Sequence, residues 1–337
     1  MKFAELKKYL AAGQADNIYL ITGEDAYFRA KSVESLKSRF VTEPQLNVTV
    51  FEGDYALSNF GEVSSALAAY PFLSEKRFIK VTEFYPTEKE YDFYLRPIFE
   101  NPPKDSVLMI VNSGKGKAGC AALAKKPNVT YVDCGRSDEE TIKKWIYVTC
   151  KRAGVYADGV TCGKIAAYCV NDMSRIAKET EKLLVYCSAT GAARLTDEIV
   201  DEVVYPDSEY KIYELANALS RKNYSAYVKI LSELSSKGFD EISLLNSLCY
   251  YFKGLYEVSL SRGSDREVAA ALGIKEYAAK KNREQAAKFP KGELFRCYRD
   301  VYEAIGGIKC GELTPSSALK AVTARVFFGG ESRKVPL

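Results

Sequence analysis

Over the first 135 residues, short runs rich in β-branched and aromatic residues alternate with stretches of helical periodicity, and after Cys134-Gly135 the strand signal stops. The candidate strands are Asn17–Thr22, Val48–Phe51, Arg77–Thr82, Ser106–Val111 and Val129–Val132. Candidate helices lie near Ala26–Phe40, Phe60–Ala69, Lys89–Phe99 and Gly119–Lys125. Such alternation predicts a mostly parallel sheet covered by helices, because parallel neighbours need a crossover long enough to hold one. Turn signals fall between the runs, at Glu52-Gly53-Asp54, Asn101-Pro102-Pro103 and Asn112-Ser113-Gly114.

Downstream the pattern is helical. Ser137 with Glu140 three residues later reads as a capping box opening a helix that holds Trp145, the only tryptophan. Apolar stripes follow at Ile176, Thr180, Leu183 and Leu184, at Ile212, Leu215, Ala216 and Leu219, and at Tyr227, Ile230, Leu231 and Leu234. Tyr205-Pro206-Asp207 breaks the run. The expected organisation is an α/β domain over 1–136, a small helical domain over 137–206 and a larger helical domain over 207–337.

Composition narrows the function. The 337 residues include no histidine, which removes the commonest general base, the Ser-His and Cys-His pairs and most zinc sites. The nine cysteines form no C-x-x-C, so free thiols in a reducing cytosol are expected, and a cytoplasmic location with them. Met1–Leu10 alternates charged and apolar residues without an apolar core, so no secretory signal is expected. No apolar run reaches the roughly 18 residues of a membrane span. The net charge of +4 permits nucleic-acid contact without demanding it.

An α/β domain followed by helices raises the question of a nucleotide site. The phosphate-loop pattern G-x-x-x-x-G-K-[ST] is absent. Ser113-Gly114-Lys115-Gly116-Lys117 lacks the upstream glycine and the following hydroxyl, and reads as a plain loop. After the first strand comes Thr22-Gly23-Glu24-Asp25, where a phosphate loop would stand. Glu24 and Asp25 at the next helix N-terminus would complement its dipole, repel a phosphate and occupy the donors it needs. No nucleotide, metal or other cofactor is therefore expected.

Several segments, in order along nearly the whole chain, resemble the delta subunit of the bacterial DNA polymerase III clamp loader. They are Ile18–Phe28 with its Gly23-Glu24-Asp25 turn, Phe72-Leu73-Ser74-Glu75-Lys76-Arg77 before an apolar strand, and Asn101-Pro102-Pro103 before Ser106–Val111. Further along come Asn171-Asp172-Met173 with Glu179, Glu181-Lys182-Leu183 and Tyr186, then Ile274–Lys281 and Ile308–Gly311. Two departures stand out: Asn171-Asp172 lacks a preceding glycine, and Cys310 sits where a small polar residue is usual. The resemblance implies a first domain of degenerate AAA+ fold without ATPase chemistry, then two all-α domains, the last joining a collar with the other loader subunits. It implies ATP bound by those subunits, no catalysis by this chain, and a surface that grips and opens the sliding clamp for loading onto primed DNA.

The residues singled out are Pro71, Phe72 and Leu73. By spacing alone the apolar pair fits a core bridge between a helix, read over Phe60–Tyr70, and a strand better than it fits an exposed contact. The resemblance assigns it to an apolar pocket on the clamp. Lys275–Arg299 holds eight basic and three acidic residues. Of these, Lys275, Lys280, Lys281 and Arg283 are candidates for DNA or collar contact, against the alternative of a solvated helical face. Tyr250, Tyr251 and Tyr256 could stack on bases, but their spacing fits core or collar packing. The competing functions are an independent nucleotide-dependent enzyme and a stand-alone nucleic-acid adaptor.

Overall fold

The computed structural model describes residues 1–114, 122–274, 276–290 and 292–328. Lys115–Lys117, the first residues of the Gly119–Lys125 helix, and Lys275 lie outside them. Strands β1 (Ile18–Thr22), β2 (Val48–Glu52), β3 (Arg77–Thr82), β4 (Ser106–Asn112) and β5 (Thr130–Asp133) form one sheet in the order β2-β3-β4-β1-β5, every neighbouring pair parallel. Ile18 stands beside Leu108 and Phe78 beside Val107. β1 and β4 are buried at every position, as strands covered on both faces must be.

Alternation along each strand divides the core into two layers. Tyr19, Ile21, Phe78 and Met109 pack toward α1 (Phe3–Ala11) and α2 (Ala26–Phe40), with Leu6, Phe28, Leu36 and Phe40. Ile18, Leu20, Ile79 and Ile110 pack on the other face, toward α4 (Gly53–Ser58) and α5 (Phe60–Ala68). A short α3 (Pro44–Asn47) leads into β2. The stretch expected as a helix over Lys89–Phe99 is helical from Glu88 to Glu100, but as α6 (Glu88–Glu90), a π-helical turn over Tyr91–Leu95, and α7 (Arg96–Glu100). Pro97 is the reason. It has no N–H to give and its ring crowds the carbonyl four residues back, so the register slips and the Arg96 N–H reaches the Tyr91 carbonyl.

The helices after β5 are α8 (Glu139–Arg152), α9 (Gly159–Tyr168), α10 (Met173–Thr190) and α11 (Asp197–Val203). Their Ile142, Ile146, Ile165, Ile176 and Leu183 continue the layer built on α2, and Trp145 meets the Tyr27 ring edge-on at 5.6 Å. Strand structure does not stop at Cys134: Tyr156–Ala157 and Arg194–Leu195 form a two-residue parallel ladder, β6 and β7. α8 also starts one residue later than expected. Asp138, not Ser137, caps it, accepting the Thr141 N–H at 2.7 Å, and a carboxylate gains from the helix dipole what a hydroxyl does not.

Asp138 has counterparts in Asp158 and Asp240, each accepting a hydrogen bond from the backbone N–H three residues on. That bond, first of all, holds each carboxyl below its usual range. A folded-state pKa below the unfolded one contributes stability at neutral pH that is lost as pH falls through the folded value. The urea midpoint should therefore decline below about pH 4. Combining Asp138→Asn, Asp158→Asn and Asp240→Asn, which keeps a neutral cap, should flatten that decline. An unchanged acid limb in the triple variant would contradict the account.

The chain divides into two compact units, Met1–Val204 and Tyr205–Leu337. The second comprises α12 (Ser208–Ser220), α13 (Tyr224–Ser236), α14 (Glu241–Leu260), α15 (Asp265–Leu272), α16 (Glu276–Ala286), α17 (Glu293–Lys309) and α18 (Pro315–Phe328). Leu215, Leu219, Tyr227, Leu234, Leu248 and Phe252 are fully buried in its core, and the Tyr227 hydroxyl bonds that of Thr323 at 2.8 Å. The sheet-first, helix-after architecture is the fold class expected from the sequence.

Candidate functional site

The segment between α5 and β3 is where Pro71, Phe72 and Leu73 lie. α5 ends at Ala68, two residues before the expected Tyr70, with Ala69 already extended at ψ 141°. Pro71 bars Tyr70 from helical backbone, so the helix has to stop short of it. The chain then turns through Phe72, Leu73 and Ser74 into β3. Leu73 adopts a left-handed φ of +52°. Phe72 is 57% exposed, Leu73 73% and Tyr70 82%, so the apolar pair lies outside the core and is no bridge between helix and strand.

The backbone beneath these side chains is fastened. Ser74 Oγ accepts the N–H groups of Thr42 at 3.0 Å and Glu43 at 3.2 Å. Glu75 pairs with Arg39 at 2.7 Å, and the Lys76 N–H donates to the Phe40 carbonyl at 3.2 Å. Lys76 lays its ammonium over the Phe40 ring and donates to Asn17, and burial lowers its pKa. The Phe72 backbone is held by the side chain of Asn47. Nothing in the sequence ties Asn47 to Phe72, because a polar residue beside a strand carries no sign of a partner 25 residues away.

The turn after β1 is occupied by the protein itself. Gly23 has φ +147°, and a Cβ there would stand 2.0 Å from the Cys134 carbonyl carbon. The Asp25 N–H donates to the Cys134 carbonyl at 2.9 Å, and the Arg29 guanidinium donates to the Gly23 carbonyl. Asp25 caps α2 by accepting the Phe28 N–H at 3.1 Å, and burial pushes its carboxyl up. Glu24 lies 3.3 Å from Arg136. At the end of β4 the buried Asn112 carboxamide bonds both backbone groups of Phe84, at 2.9 and 2.8 Å. The open cavity alongside, about 530 Å³ between α2 and β3, mixes Arg29, Lys37 and Lys80 with Glu34 and Glu83. Among the described residues no group of His, Cys, Asp and Glu could hold a metal ion.

Among the described residues the basic candidates have different surroundings. Lys280 is exposed on α16, and Lys281 lies 3.8 Å from Glu284. Arg283 is committed to its own unit, 2.9 Å from Asp265 and donating to the Gly263 carbonyl at 3.0 Å. Of the tyrosines, Tyr251 is tied to Gln285 at 2.6 Å, Tyr256 stacks on Tyr298, and Tyr250 is exposed. Asn171-Asp172 has a structural role: Asp172 caps α10 by accepting the Arg175 N–H at 2.8 Å, with Asn171 left-handed before it.

Residues 209–326 match the family described as DNA polymerase III delta subunit, C-terminal domain. Among solved structures, the Bacillus subtilis DNA clamp loader delta protein superposes with a TM-score of 0.72 at 16% identity, over 96% of this chain and 99% of that one. The Thermotoga maritima RuvB Holliday junction branch migration motor aligns at 13% identity over 87% and 85% of the two chains, with a TM-score of 0.39. A DNA polymerase III gamma subunit-related protein from Thermotoga maritima aligns at 14% identity over 88% and 98%, with a TM-score of 0.36. No curated protein sequence matches the chain.

Proposed function

We propose, from a chain whose residues 209–326 match the family of C-terminal domains of the DNA polymerase III delta subunit, a clamp-loader protein that grips the sliding clamp through Phe72 and Leu73 and favours its opened form. The observation that carries this reading is the exposed apolar pair on a fastened turn, beside Pro71. Apolar side chains held rigidly in water are what an interface hot spot requires. Opening the ring needs no chemistry here. A binder that prefers the sprung ring shifts the closed–open equilibrium by the ratio of its affinities for the two forms.

The chain itself hydrolyses no nucleotide in this proposal. The α2 N-terminus, where a phosphate would be cradled, has its Asp25 N–H taken by Cys134 and its Phe28 N–H taken by the Asp25 carboxylate. ATP would act in partner subunits that join the second unit as a collar, and primed DNA would be held by the assembled loader. A reducing cytosol suits the chain: the described cysteines are free thiols, and burial pushes Cys134, Cys150 and Cys162 up to about 11. No described helix is long and apolar enough to cross a membrane.

Titration of the purified chain with the sliding clamp of the same organism, without nucleotide, tests the proposal. A stable complex is expected, with no ATP bound by the chain and weak, salt-sensitive DNA binding. Tight ATP occupancy of the isolated chain with no clamp complex would favour the nucleotide-dependent enzyme. Strong DNA binding with no clamp complex would favour the nucleic-acid adaptor.

A further inference from the structure

We infer that Asn47 is a positioning residue for the clamp contact: its buried carboxamide fixes the backbone of Phe72 and so presents Phe72 and Leu73 already in their binding arrangement. The inference rests on the reading of that pair as the clamp contact.

Asn47 ends α3 immediately before β2 and is fully buried. Its Oδ1 accepts the Phe72 N–H at 2.7 Å, and its Nδ2 donates to the Phe72 carbonyl, also at 2.7 Å. One side chain thus takes both backbone groups of the residue that leads the pair. The same Nδ2 also lies 2.9 Å from the Glu43 carbonyl and 3.0 Å from Ser74 Oγ, so its two N–H groups are shared among three acceptors. Ser74 itself receives Thr42 and Glu43. The turn is therefore held on both sides of Leu73, at 72 and at 74, by the chain running from α2 to β2.

Leu73 shows why such holding is needed. A leucine at φ +52° is strained, because its Cβ crowds the backbone in the left-handed region. A loop left to itself would relax to other conformers of lower strain. Ordering it at the moment of binding would then subtract from affinity. With both neighbours clasped, the strained conformer persists in the free protein.

The chemistry of the clasp also limits what can replace it. An asparagine offers one acceptor oxygen and two N–H donors from a single planar group, and all are in use here. Aspartate would keep the acceptor but set an oxygen against the carbonyls of Phe72 and Glu43. Alanine would leave both Phe72 backbone groups without partners.

The test compares Asn47→Ala, Asn47→Asp and the milder Ser74→Ala with the double variant F72A/L73A, each in the full chain. Three quantities are read: affinity for the purified sliding clamp, the urea midpoint, and hydrogen exchange at individual backbone amides. Both Asn47 variants are expected to lose about 10-fold or more in clamp affinity, and Ser74→Ala about 3-fold. Exchange at the Phe72 amide should rise by a similar factor while the β3 amides of Phe78–Val81 stay protected, a local signature that a general loss of stability does not give. Parent-like affinity in the Asn47 variants, with F72A/L73A inert, would overturn the role of Asn47 and leave the contact standing. Parent-like affinity in F72A/L73A would remove the contact itself. Should the Asn47 variants fail to fold, Ser74→Ala decides: reduced affinity at an unchanged urea midpoint supports the clasp, and parent affinity overturns it.

Discussion

Replacing Phe72 and Leu73 together by alanine should abolish binding to the sliding clamp while leaving the chain as stable as before. Burying such a side chain in a partner's apolar pocket is worth about 1.5–3 kcal/mol. Losing both removes about 3–6 kcal/mol, which at 1.4 kcal/mol per factor of ten is a loss of about 100-fold or more in affinity. The fold has little stake in either side chain, since more than half of each already faces water in the free chain. Substitutions at exposed positions usually change stability by no more than about 0.5 kcal/mol, so the urea midpoint should stay within error of the parent. Calorimetry against the clamp, beside an unfolding curve for the same preparation, measures both. A double variant that binds the clamp like the parent would show that the exposed pair serves something else. Tyr70, more exposed still, is the next residue to truncate, with a smaller expected loss because its hydroxyl can stay solvated at an interface edge.

What could be read in the sequence was what local pattern controls. β3 runs from Arg77 to Thr82 as expected, because its buried residues recur where the sheet needs them. β2 and β4 extend one residue further, to Glu52 and Asn112, since pairing with β3 and β1 carries strand geometry into polar residues that have no strand preference of their own. Other features escaped for identifiable reasons. β6 and β7 are two residues each, too short to show a period, and exist because Tyr156 finds Arg194 far along the chain. At α8, Ser137 and Asp138 are both good caps side by side, and only the folded geometry selects the carboxylate. Pro97 was visible, but the outcome chosen, a π turn rather than a break, depends on Tyr91, Leu95 and Phe99 all finding burial on one face. At the candidate site, the pair and its proline are local features, whereas the Asn47 and Ser74 clasp is tertiary and left no trace in the spacing.

Gly23→Ala should destabilise the first unit by about 4 kcal/mol or more, the range reserved for backbone strain and severe overpacking. The glycine follows β1, where a nucleotide-binding protein would need a small residue so that backbone can approach phosphate. Here the approach is to protein. The added Cβ would meet the carbonyl carbon of Cys134 at 2.0 Å, its oxygen at 2.2 Å and the Gly135 nitrogen at 2.3 Å, all backbone atoms that cannot swing aside as a side-chain tip does. The φ of +147° adds a conformation that alanine rarely takes. Relief would require moving the β5 end away from β1 and breaking the Asp25 to Cys134 hydrogen bond, and with it the cap geometry of α2. Gly61→Ala is the matched control. It lies on α5 with nothing within 4 Å of the new methyl, and should be neutral or stabilising by about 0.5–1 kcal/mol. Urea unfolding of the two variants separates the explanations for the glycine. Were Gly23 kept for a phosphate, alanine would weaken nucleotide binding and leave the urea midpoint near that of the parent; were it kept for the closure of β1 on Cys134, the midpoint itself falls, and falls without any ligand present.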